Sequence, residues 1–202
     1  MTFSRLVLPS IRLGASTDIQ IRVETDEVRF APISSISRSA PARVVTQEAH
    51  GLLDGWRASV VDAKGMVAIN DVRPTSVSVV DTTTIDLDGV STLGMSAHTA
   101  DSGALKWYAP KDLSGYTGAR MDLKRAVGDT AVLSLHTDDG TLEIDAASSS
   151  VWVRLPETAL SDAGVSARDY YFDIELIRAD GVDAICAATS VATVLPEITT
   201  ST

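Results

Sequence analysis

Cysteine occurs once in the 202 residues, at Cys186, which excludes an internal disulfide framework and any multi-cysteine zinc site. Histidine occurs three times, at His50, His98 and His136, far apart and without the i,i+4 pairing of a helical metal site. No cofactor or metal is expected. Aromatic residues are only 5% of the chain, so a core has to be built mainly from Val, Ile, Leu and Ala. Basic residues are also scarce: 17 Lys and Arg against 27 Asp and Glu give a net charge of −10 and a pI near 4.6. With no dense basic run, a duplex-wrapping role is not expected and no nucleic-acid partner is assigned, because phosphate binding needs a basic face to displace counterions. No apolar run approaches the roughly 20 residues of a membrane helix, so no membrane partner is expected. The N-terminal Met1-Thr2-Phe3-Ser4-Arg5-Leu6 has one Arg, no long apolar stretch and no small-residue cleavage site. It does not read as a secretory signal, and the chain is expected to be made in a cytoplasm or to join an assembly built there.

What the chain has is alternation. Hydrophobic residues reach 45% and charged residues 22%, enough for a buried core. Asp18 to Glu24 alternates polar and apolar without a break, as a strand with one buried face should. Val132 to Thr137 and Thr141 to Asp145 repeat the pattern around Asp138-Asp139-Gly140, and an Asp-Gly between alternating runs predicts a hairpin. Ser150 to Leu155 continues as a third strand. Further strands are expected near Val28 to Pro32 and at 42–47, 56–62, 75–80, 84–87, 105–108, 119–124, 170–178 and 182–194. One helix of about two turns is predicted from Glu157 to Ala163, after Pro156 and before Gly164. Turn signals recur every 8–12 residues or so, the rhythm of a sandwich or barrel. The fold is therefore all-β. Ser34 to Ala42, interrupted by Pro41, and Thr99 to Gly103 read as linkers flanking a segment with its own strand rhythm. The tail after Pro196 is expected to fray.

The middle and the end of the chain each resemble a known family. Val44-Val45-Thr46, Ala49-His50-Gly51-Leu52, Asp54-Gly55-Trp56, Gly65-Met66, Ile69-Asn70 and Val80-Asp81 to Leu87-Asp88-Gly89-Val90 follow in order. This series resembles the small β-barrel module known from the first catalytic-cysteine half-domain of ubiquitin-activating enzymes. Versions of that module recur in tailed-phage structural proteins without a catalytic cysteine. Downstream, Ala109-Pro110-Lys111-Asp112-Leu113-Ser114-Gly115-Tyr116-Thr117 runs into Ala119 to Lys124, and Tyr171-Phe172-Asp173-Ile174-Glu175-Leu176 follows later. This half is similar to the N-terminal attachment domain of phage upper-baseplate and tail-fibre adaptor proteins.

Together the two resemblances imply an Ig-like β-sandwich with an inserted small β-barrel. The division they imply is an N-terminal arm and first sandwich strands over 1–37, the barrel over 38–105, and the rest of the sandwich over 106–202. An insertion of this kind is cheap, since each doubling of a loop's length costs only about 0.6 kcal/mol. Adaptors often continue into a fibre or receptor-binding domain. This chain stops at Thr202, so docking rather than host attachment is the expectation.

The function these resemblances imply is that of a non-enzymatic virion protein, a tail, baseplate or fibre adaptor. Its implied partners are other virion proteins and copies of itself. A capsid decoration or head–tail junction protein, or a host-glycan-binding module, are the alternatives. Candidate interface residues are Phe3, Leu6, Leu8, Ile11 and Leu13 in a weakly periodic arm ending at Ser16, with Trp107 and Tyr108 as aromatic anchors. Trp56 and Trp152 read as core or interface residues. No catalytic residue is assigned. His50 beside Gly51 could be a base oriented by Asp54, yet no nucleophile elbow accompanies it, and backbone bonding in a turn explains it as well. Asp86-x-Asp88-Gly89 echoes the start of a calcium loop, but position 97 is Ala where that loop needs Glu, so a turn is expected. Cys186, in Ala184-Ile185-Cys186-Ala187, reads as a small buried hydrophobe.

Overall fold

The computed structural model describes residues 11–180 and 184–196, those at 184–190 as backbone only. Strands β1 (Ile11–Arg12) and β2 (Thr17–Arg22) precede the long β3 (Glu24–Ile36). Then come β4 (Ala42–Thr46), β5 (Arg57–Val61), a 3-10 helix (Val67–Asp71), β6 (Thr75–Val79), β7 (Thr84–Leu87) and β8 (Ala104–Pro110). The chain continues through β9 (Tyr116–Lys124), β10 (Leu133–His136), β11 (Leu142–Asp145) and β12 (Ser150–Leu155). A one-turn helix α1 (Ala159–Asp162), β13 (Asp169–Arg178) and β14 (Ala184–Leu195) complete it. The fold is all-β, as the alternation requires.

Two compact units result, one formed by residues up to Asp26 and from Pro110 onward, the other by Glu27–Ala109. The first is a sandwich. Its five-stranded sheet runs β1-β14-β13-β9-β10 and its three-stranded sheet β11-β12-β2. Alternation along β13 turns Tyr170, Phe172, Ile174 and Leu176 inward. There they share one core with Ile19 and Ile21 of β2 and Val151, Val153 and Leu155 of β12. Helix α1 adds Leu160 to this core and gives way at Gly164, whose φ of 66° suits a residue without Cβ.

The second unit is a closed barrel in the order β3-β4-β7-β6-β5-β8. Trp56, Ile33, Val44, Val60, Ile85 and Leu105 fill it, all at 0 or 1% exposure. Closure leaves the barrel strands paired on both sides wherever their neighbours reach.

Several expectations change. The barrel takes the strand at Val28–Pro32, which therefore does not belong to the sandwich, and the unit boundaries fall at Glu27 and Ala109 rather than at 38 and 105. The reason is that β3 is continuous, and its Ile33, Ser35 and Ile36 pair with β4. Ser34 to Ala42 is the end of β3 and the β3–β4 turn, not a linker: the Ser37 N–H donates to Arg43 O at 2.9 Å, and the Thr92 hydroxyl donates to Ser37 O at 2.7 Å. Small polar residues suit a tight turn as well as a linker, so composition could not separate them. The two crossings between the units lie side by side in the first unit, with the Lys111 N–H donating to Val23 O at 2.9 Å.

The Asp-Gly segment does not close a hairpin. β10 pairs with β9 and β11 pairs with β12, so Thr137 to Thr141 carries the chain from one sheet to the other. An arch and a hairpin share the same period of two, and the wider sheets on offer decided between them. The predicted helix is shorter than expected, one turn at Ala159–Asp162. Lastly, part of the arm is built into its own sandwich: Ile11 pairs in parallel with Val194, is 1% exposed, and sits in the core.

Candidate functional site

The barrel carries an apolar face that its own core does not use. Along β8, alternation buries Leu105, Trp107 and Ala109 and turns Tyr108 outward, 43% exposed. The Trp56 indole N–H donates to Tyr108 O at 2.8 Å, which fixes the backbone from which that ring projects. On β3, the barrel's neighbouring strand, Ala31 and Ile33 point inward while Val28, Phe30 and Pro32 point out. Phe30 is 57% exposed and Val28 36%. The stretch Glu27 to Phe30 is exposed on both of its faces, and Arg29 Nε lies 3.0 Å from Glu27 Oε1. Exposed aromatic and branched side chains on one rigid sheet present a surface that gains by being covered.

The interface candidates divide on this framework. Phe3, Leu6 and Leu8 lie outside the described residues. Ile11 and Leu13 belong to the sandwich core or pack against it, so they are not free to hold a neighbour. Trp107 is a correction too. It is 5% exposed and lines the barrel core, because it falls on the inward parity of β8. Tyr108, one residue on, is the outward one. Phe30 was missed by sequence reasoning: its alternation with Arg29 predicts a half-buried strand, and nothing local shows which side of β3 the barrel turns outward.

Other candidate residues are spent locally. His50 is buried, with Nδ1 accepting from the Leu52 N–H at 3.0 Å and Nε2 lying 3.0 Å from Asp81 O, which requires the neutral Nε2–H tautomer. Asp54 accepts from the Val79 N–H at 2.9 Å instead of orienting His50. Asp86 forms a two-pronged bridge to Arg43 at 2.8 and 2.9 Å, and Asp88 accepts from the Ser78 hydroxyl. Among the described residues, no group of three or more His, Cys, Asp or Glu could hold a metal ion. The Cys186 side chain lies outside the described residues.

Trp56 is fully buried in the barrel. Trp152 is half-buried on the outer face of the three-stranded sheet, its ring under the Arg154 guanidinium at 5.3 Å. Arg154 in turn meets Glu143 at 2.7 Å and Asp18 at 3.5 Å.

The Asp112-Leu113-Ser114 turn shows what the downstream motif does for the fold. Leu113 is fully buried in the sandwich core, and the Ser114 N–H donates to Asp112 Oδ1 at 2.9 Å. That bond, followed by one from the Ser114 hydroxyl, holds the Asp112 carboxyl below its ordinary pKa. The Ser148 hydroxyl and then its N–H do the same for Asp145. A carboxylate whose folded pKa is depressed adds stability above its unfolded pKa, and loses it as pH falls through the folded one. Carboxyl carbon shifts followed by NMR are therefore expected to titrate below 3.8 for both residues. The Asp112 shift should move back toward that value in Ser114→Pro, which lacks both donors.

A scan of the chain against protein-family models finds no match, and a search of curated proteins finds none either.

Proposed function

We propose that this chain is a non-enzymatic structural protein of a tailed-phage virion, an adaptor of the tail, baseplate or fibre that holds neighbouring subunits in place. The observation that carries the reading is the exposed Val28, Phe30 and Tyr108 face on a barrel whose interior is already filled. The two sequence resemblances support it, as does the insertion of one compact β unit within another. A barrel whose interior is already filled is suited to present a docking face on its outside. In this role the sandwich anchors the chain, the barrel seats on the neighbour, and copies follow the symmetry of the particle.

The test is incorporation. In particles assembled with the double variant Phe30→Glu, Tyr108→Glu, the amount of this chain per particle is expected to fall at least about tenfold, the effect of losing one buried aromatic anchor. Soluble yield and melting temperature should be unchanged, since both side chains already face water. Wild-type incorporation of the variant would overturn the reading. Immunogold label on the head rather than the tail would move the protein to the capsid.

A further inference from the structure

Among the described residues, the exposed large hydrophobic side chains are of two kinds. Val67, Val80, Leu93 and Val127 stand singly in turns, loops or the 3-10 helix, as scattered apolar residues on any surface do. The others stand on neighbouring strands and make one cluster on each unit. On the barrel it is the Val28, Phe30 and Tyr108 face. On the sandwich it is Tyr171 of β13, directly opposite Val191 of β14 on the outer side of the five-stranded sheet, both exposed.

Each cluster has an unmatched charge beside it, and the two signs are opposite. Lys106 shares the outward side of β8 with Tyr108 and lies across from Ser59 of β5. Asp173 follows Tyr171 by two residues on β13, so both face outward. Directly opposite Asp173 on β9 is Asp122, and like charges in a cross-strand pair repel. The Lys124 ammonium goes to Asp122, at 3.6 Å, and the Ser134 hydroxyl donates to the same carboxylate at 2.7 Å. Among the described residues, the Asp173 carboxylate has no partner and Lys106 forms no ion pair. A cation brought against this patch relieves the repulsion between the two carboxylates.

We infer that copies of this chain join head to tail, the barrel face of one seated on the Tyr171 and Val191 patch of the next, with Lys106 against Asp173. The contact covers aromatic and branched side chains from both sides and matches two charges that a single chain leaves open. Both patches are exposed within the chain, so the contact is one between copies. Its two surfaces differ, so repetition closes a ring where the rotation allows and otherwise extends a filament. The inference rests on the reading of the Val28, Phe30 and Tyr108 face as a docking surface and names its partner.

Sedimentation velocity on the full-length purified chain tests it. Wild type is expected to show species larger than monomer at concentrations on the order of 100 μM. The variant Phe30→Glu, Tyr108→Glu blocks the barrel face, and Tyr171→Glu, Val191→Glu blocks the sandwich patch. Each should be monomeric alone with the wild-type melting temperature, since all four side chains face water. Mixed in equal amounts they should form a one-to-one dimer, because the intact barrel face of the second meets the intact patch of the first. A contact between two like faces gives the opposite pattern, with one variant associating by itself and nothing gained on mixing. Charge exchange is the second measurement. Lys106→Glu sets Glu against Asp173, Asp173→Lys sets Lys against Lys106, and each should weaken association at least about tenfold. The double variant restores the pair with its signs exchanged and should associate like wild type. A wild type that stays monomeric would overturn the inference, as would mixed face variants that stay apart or association indifferent to both single reversals. These outcomes are separable from the docking reading: a monomeric chain whose Phe30→Glu, Tyr108→Glu variant still fails to enter particles loses only the head-to-tail contact. Normal incorporation of that variant removes the docking reading whatever the oligomeric state.

Discussion

Replacing Trp56 with alanine is expected to destabilise the barrel by about 3–5 kcal/mol, the usual loss for a large aromatic side chain removed from a packed core. Trp56 is the largest of the fully buried side chains, and its indole N–H holds Tyr108 O at 2.8 Å. The substitution removes that donor along with the ring, in a small barrel with few other large residues to collapse inward. Total stabilities of single domains are about 5–15 kcal/mol, so a loss of this size takes a large part of what the barrel has. Because the barrel core and the sandwich core are separate clusters, the damage should be selective. In urea, the variant should show an early transition reported by NMR signals of barrel residues such as Val44 and Ile85. Signals of Phe172 and Leu176 in the sandwich should persist to the wild-type midpoint. A single early transition for both sets of signals would mean that the two units are not energetically independent. Loss of the barrel should also abolish docking, since β3 and β8 are barrel strands.

Gly65→Ala is expected to be nearly as costly, for a backbone reason. Gly65 has a φ of 75°, and a Cβ placed there would come within 2.2 Å of Ala97 O and 2.9 Å of Thr99 N. Those neighbours are main chain, tied down in part by the Thr99 N–H donating to Lys64 O at 2.9 Å. They cannot swing aside as a flexible side chain could. Left-handed backbone alone costs a residue with a side chain about 1–2 kcal/mol. The enforced shift of two chain segments should bring the total to roughly 3 kcal/mol or more. Gly89→Ala provides the comparison, because Gly89 has a similar φ of 71° but open space where the Cβ would stand. That variant should lose only the backbone part, about 1–2 kcal/mol. Equal urea midpoints for the two variants would show that the close approach at Ala97 relaxes freely.

The candidate site was only half legible in the sequence. The pair Trp107-Tyr108 marks a strand with one large residue on each face, and either could have been the outward one. Parity is settled only when β8 pairs with β5, Ala58 against Trp107, and the barrel closes on that side. Phe30 lies in a run, Glu27 to Phe30, that alternates like any half-buried strand. Its exposure comes from parity, since Phe30 shares the outward side of β3 with Val28 and Pro32 while Ala31 and Ile33 turn into the barrel, and only closure of the barrel decides which side that is. The roles of His50 and Asp139 were nearer the surface of the text. A histidine next to a glycine and an aspartate before a Gly-Thr both bond to nearby backbone, and both do so here.

The all-β class, the positions of most strands and the small turn residues between them were determined by the amino-acid order alone. Period-two burial and the conformational needs of glycine and aspartate act over a few neighbours and do not wait for the rest of the chain. Which strand pairs with which was decided only in three dimensions. The departure of β10 and β11 to different sheets, the parallel seat of Ile11 on β14 and the claim of the barrel on β3 all depend on partners distant in sequence. An alternating segment satisfies its backbone equally well against any suitable edge, and the packing of the whole core selects one.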